Sequence, residues 1–131
     1  MSTDEKVLQQ IVTASRALQP TFEQRANGAT VSTKEASAAL SAFMKRNGQL
    51  TDQTFAALAL RNKSVATKLE NVQNLSSLSE DDRRRLRTDF YLISGSLTKL
   101  IRNRVVTDPT FIDTAAKYRT SLDGVTNFIP L

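Results

Sequence analysis

Leu86-Arg87-Thr88-Asp89-Phe90-Tyr91-Leu92-Ile93-Ser94-Gly95-Ser96-Leu97-Thr98-Lys99-Leu100 decides how this chain is built. Leu86, Phe90, Ile93, Leu97 and Leu100 recur at steps of 4, 3, 4 and 3, the spacing that stacks side chains on one face of an α-helix. A half-buried strand would alternate by twos instead. Just upstream, Ser79 with Asp82 three residues on forms a capping box, and Glu80, Asp81 and Asp82 complement the positive end of the helix dipole. The pattern predicts a helix from there to about Val105, roughly 39 Å long at 1.5 Å per residue.

Four further segments carry the same period. Downstream, Thr107-Asp108-Pro109 reads as a turn with Asp108 as cap and Pro109 at the first helical position. The helix that follows places Phe111, Ala115, Tyr118, Leu122, Val125 and Ile129 on one face, with Gly124 weakening or ending it. The apolar tail Phe128-Ile129-Pro130-Leu131 is expected to tuck against the body of the protein. Upstream, Leu75-Ser76-Ser77-Leu78 makes a turn. Before it, Leu50 and Phe55 flank Thr51 as a hydrophobic staple, so a helix should open at Asp52. Its seam is Phe55, Leu58, Asn62, Val65, Leu69 and Val72.

Asn62 is the one polar member of that seam. It is either a register or partner device or a core asparagine bonded to a neighbouring helix, and the second reading is preferred. Earlier still, Ser32 and Glu35 form a capping box for a helix that closes at Asn47-Gly48 and buries Ala36, Ala39, Leu40, Phe43 and Met44. The first helix begins near Asp4 with Val7, Leu8, Ile11, Val12 and Leu18 facing inward. Pro20 either kinks it, with Phe22 and Ala26 continuing the face to Asn27, or breaks it; Asn27-Gly28 is the stop in both cases. Connections of a few residues make successive helices antiparallel. The expectation is an all-α fold, an up-and-down antiparallel bundle of four to five helices, with residues 1–131 forming a single domain.

Composition narrows the function classes. The apolar run Ala56-Ala57-Leu58-Ala59-Leu60, even with Phe55 before it, is far below the roughly 20 residues of a membrane span, so no transmembrane segment is expected. Cysteine and histidine are both absent, which removes disulfides, the commonest zinc ligands, cysteine nucleophiles and serine-histidine chemistry. Any catalysis would fall to carboxylates, lysine or tyrosine, and we expect a non-enzymatic protein with no cofactor and no metal. The polar, acidic start Met1-Ser2-Thr3-Asp4-Glu5-Lys6 lacks a secretory pattern and favours the cytoplasm, although an exported domain without its signal would read the same way.

The net charge of +5 is concentrated in residues 79–106, which carry +3. Within that stretch Glu80 and Arg84, Asp81 and Arg85, and Arg85 and Asp89 stand at i, i+4, so the acidic cluster is self-compensating and lacks the ligand spacing of a calcium loop. With Leu86 and Phe90 inward, Arg84, Thr88, Tyr91, Gly95, Thr98 and Arg102 line the opposite side of the helix, flanked by Arg87 and Lys99. The candidate partner-binding strip is therefore Arg84, Arg87, Tyr91, Gly95, Lys99 and Arg102. At Gly95 the missing side chain admits either a partner or, as the preferred reading, close packing by the first or fifth helix. Leu60, off the third seam, is a further contact candidate.

The function expected is a protein-protein interaction domain of adaptor, assembly or regulatory type, whose partner is another protein of acidic character. Two alternatives stand behind it. One is a small nucleic-acid-associated protein using the cationic strip, although no zinc finger, ribonucleoprotein motif or helix-turn-helix is present. The other is a helical-bundle sensor that binds a small anion. The sequence leaves the oligomeric state open.

Overall fold

Free amide groups at the first turn of a helix need acceptors, and this chain supplies them at the expected places. In the computed structural model, which describes residues 3–72 and 75–126, the helices are α1 (Thr3–Ala26), α2 (Thr33–Met44), α3 (Asp52–Leu69), α4 (Glu80–Arg102) and α5 (Pro109–Thr126). A 3-10 turn at Leu75–Ser77 precedes α4. Ser32 Oγ accepts from the Glu35 amide at 3.1 Å and the Glu35 carboxylate accepts from the Ser32 amide at 3.0 Å. Those bonds hold the Glu35 carboxyl below its usual range. Thr51 and Thr54 form an equivalent reciprocal pair, Ser79 caps Asp82, and the Asp108 carboxylate accepts from the Phe111 amide at 2.9 Å.

Two helix boundaries differ from the sequence reading. Helix α1 runs unbroken through Pro20. Pro20 and Arg16 are both exposed, so the i−4 hydrogen bond that proline cannot make is given up where water can replace it. Helix α4 stops at Arg102 rather than near Val105, because Arg104 adopts a left-handed backbone with φ 54°. The Val105 amide then donates to Leu100 O at 3.0 Å and the Arg104 amide to Ile101 O at 3.1 Å, the paired bonds of a Schellman stop. At the other end of the chain, α5 passes through Gly124 to Thr126. Ile129 and the tail Phe128-Ile129-Pro130-Leu131 lie outside the described residues.

Long-range bonds fix the directions. Asn27 reaches Asp52, Gln19 reaches Ala59, and Arg16 reaches Glu70, so α1 and α3 are antiparallel. Phe22 near the end of α1 meets Phe111 at the start of α5 edge to face, with ring centroids 6.3 Å apart. Helices α1, α3, α4 and α5 thus close an antiparallel ring, each packed on the next. Helix α2 lies outside it, against α3 and α4. The short connections therefore do not make α1 and α2 the paired neighbours they suggest; α1 turns its apolar face to α3 and α5.

The buried apolar residues of all five helices form one cluster. Leu86, Phe90, Ile93, Leu97 and Leu100 are each no more than 1% exposed, so the α4 seam is a central core stripe. Among the described residues there is no strand, and no helix is long and apolar enough to cross a membrane.

Candidate interaction face on α4

The expected strip divides once the chain is folded. Arg84, Arg87, Tyr91 and Gly95 come together along a surface groove of about 570 Å3 on the outer side of α4, with Asp123 of α5 on its far wall. Tyr91 is 68% exposed, the one large hydrophobic side chain so placed among the described residues. Arg84 is exposed and lies 3.8 Å from Glu80, an i, i+4 pair that adds little stability in open solvent. Arg85 similarly meets Asp81 at 3.1 Å. Arg102 is exposed at the last residue of α4, beyond the groove.

Lys99 and Gly95, both half-buried, are engaged by α2 and the residues that follow it. Lys99 Nζ donates to the carbonyls of Phe43, Lys45 (2.8 Å) and Gly48 (3.0 Å), and stands over the Phe43 ring at 4.7 Å. It thereby gathers carbonyls at and just beyond the negative dipole end of α2, which draws its charge away from the strip. Gly95 is packed by Met44, so the close approach comes from α2 and not from the first or fifth helix. Leu60 is half-buried against the core.

Asp89 is also corrected. The i, i+4 spacing pairs it with Arg85, yet Asp89 is fully buried and its Oδ1 accepts from Arg61 of α3 at 2.8 Å. Its Oδ2 faces Lys68 Nζ at 3.9 Å, beyond hydrogen-bond reach. Burial pushes the Asp89 carboxyl up from its ordinary value, against the pull of Arg61 and Lys68. Arg61 continues to α2, donating to Thr33 O at 3.2 Å and to the Ser37 hydroxyl. Sequence reasoning missed this junction. The available signal was that Arg61 adjoins the polar seam position Asn62 and that Asp89 adjoins the seam residue Phe90.

A second polar group lies between α1, α3 and α5. Asn62 Oδ1 accepts from Ser15 Oγ at 2.9 Å and from Tyr118 Oη at 2.7 Å, while its Nδ2 donates to Ser15 O at 2.8 Å and Gln19 Oε1 at 2.7 Å. The seam asparagine is thus bonded to neighbouring helices, and the arrangement satisfies every donor and acceptor of its amide. Burial pushes the Tyr118 phenol well above its ordinary value, so it stays a neutral donor.

A larger groove of about 1020 Å3 separates α1 from α5, where Ala14, Ala17 and Thr13 face Thr114 and Ser121. Small side chains make the space. Among the described residues no three carboxylates, histidines or cysteines converge as a metal-binding cluster. No protein-family model, curated protein or solved structure matches the chain.

Proposed function

We propose that this protein is a non-enzymatic interaction module that engages an acidic protein partner through the outer face of α4. The observation that carries the reading is Tyr91, 68% exposed in a groove whose walls include the Arg84 and Arg87 side chains. An exposed tyrosine beside arginines is the composition of a binding hot spot: a rigid apolar ring next to groups that recognise carboxylates in a bidentate manner. Surface residues of this kind contribute little to folding, so their placement on the rigid central helix suits recognition.

A photo-crosslinking residue at position 91, compared with one at exposed Lys117 on α5, tests this in cells. The expected result is a discrete protein adduct from position 91 that disappears when Arg84→Glu is added and is absent from position 117. A parallel titration with random-sequence DNA at two salt concentrations covers the polyanion alternative. DNA binding that weakens steeply with salt and is abolished by Arg84→Glu and Arg102→Glu would replace the proposal with nucleic-acid association. Equal adducts from both positions would also overturn it.

A further inference from the structure

Helix α2 is the one helix that stands outside the antiparallel ring. It is only 12 residues long, and its fully buried side chains are Ala36, Leu40 and Phe43. Both of its ends are fastened by cations from other helices. At the start, Arg61 of α3 donates to Thr33 O and the Ser37 hydroxyl. At the end, Lys99 of α4 gathers the carbonyls of Phe43, Lys45 and Gly48.

The surface below α2 is unusually polar for a helix-helix contact. Asp89 shares the Arg61 guanidinium with α2, and Ser96, two helical turns along α4, lies on the same side. Ser96 is fully buried, and neither its hydroxyl nor Arg61 Nε has a hydrogen-bond partner among the described residues. Lifting α2 would rehydrate the Arg61 guanidinium and the Lys99 ammonium and offset part of the apolar burial lost with Leu40 and Phe43. The other four helices need not move, because their ring closes through α1–α3, α3–α4, α4–α5 and α1–α5 contacts without α2.

We propose that α2 is a displaceable latch: it undocks from α3 and α4 as a unit while the ring stays packed, with Arg61 and Lys99 as its two fastenings. Undocking parts the Arg61 guanidinium from Thr33 and Ser37, removes Met44 from Gly95, and releases the Lys99 ammonium. The latch is therefore a conformational device on the flank of α4, independent of which partner, if any, uses the outer face.

Native-state hydrogen exchange on the full chain across a series of sub-denaturing urea concentrations tests this. Amides of residues 37–44 should exchange at least about tenfold faster than the slowest amides of α3 and α4, through an opening whose urea dependence is measurable but smaller than that of global unfolding. If they share the rate and urea dependence of those slowest amides, α2 opens only by global unfolding and the proposal fails. Lys99→Met should then accelerate exchange across α2 by about tenfold and leave α1 and α5 unchanged, as loss of charge-assisted hydrogen bonds at one fastening requires. No change, or an equal acceleration in all helices, would remove Lys99 from the latch. The wild-type measurement depends on no variant.

Discussion

Tyr118 Oη on α5 donates to Asn62 Oδ1 on α3 across 2.7 Å, with both side chains fully buried. Because the same carboxamide also binds Ser15 and Gln19 of α1, one asparagine ties three helices together. Restoring a fully apolar seam with Asn62→Leu should therefore destabilise the protein. The Tyr118 hydroxyl and the Gln19 side-chain carbonyl would lose their partner, while Ser15 Oγ keeps the main-chain carbonyl of residue 62 at 3.0 Å, for a loss of about 2 kcal/mol. Tyr118→Phe, which leaves one acceptor of Asn62 still bonded to Ser15, should cost about 1 kcal/mol. Urea unfolding measures both, and a stabilised Asn62→Leu variant would contradict the account.

Arg61 and Asp89 give a signed pH dependence. The Asp89 carboxyl titrates above its unfolded value, so the stability linked to its protonation is complete below the ordinary carboxylate range and is lost as pH rises through the elevated folded value. Asp89→Asn has no proton to exchange at that position. The wild-type stability minus that of the variant should fall as pH is raised from the acid side towards neutrality; a flat difference would contradict the buried state of Asp89. Arg61→Met should cost about 3 kcal/mol at neutral pH, where it strands a buried carboxylate, and less at pH 4, where that carboxyl can take up a proton.

Gly48 and Gly95 should respond differently to alanine. A Cβ at Gly48 would run into the backbone carbonyls of Ala42 and Phe43, which cannot move without unwinding the end of α2. Gly48→Ala should cost about 2 kcal/mol. At Gly95 the obstacle is the flexible end of Met44, and the helix gains about 1 kcal/mol of propensity from alanine. Gly95→Ala should be neutral or slightly stabilising. Thermal unfolding of the two variants ranks them.

Arg104 occupies the left-handed position of the α4 stop with φ 54°, where a side chain is strained. Arg104→Gly should stabilise the protein by about 1 kcal/mol without altering the fold, as denaturant midpoints would show. An unchanged or lowered midpoint would mean that the Arg104 side chain offsets its own backbone strain.

Local pattern was enough to place the helices and most of their caps. The 3-4 spacing of Leu86 to Leu100, the Ser32-Glu35 box, the Thr51 start and the Asp108-Pro109 turn all act through residues within a turn of one another, so their chemistry is written in short stretches of sequence. The antiparallel bundle follows from those seams, since each apolar face must be covered by another. Periodicity also showed that Asn62 is an inward polar residue, though not whom it meets.

Only the tertiary structure decided which helix covers which. Helix α2 left the place that chain order suggests and settled on α3 and α4, and that single arrangement diverted Lys99 to the α2 carbonyls, put Met44 over Gly95, and enclosed Asp89 with Arg61. Those contacts join residues 28 to 56 positions apart in the chain. Periodicity reports the direction a side chain leaves its own helix, whereas the partner it meets depends on how several apolar faces are shared at once. Of the strip foreseen on α4, Lys99 is drawn to carbonyls at the end of α2 while Tyr91, Arg84 and Arg102 stay exposed, because packing, and not spacing, determines what covers each part of a helix face.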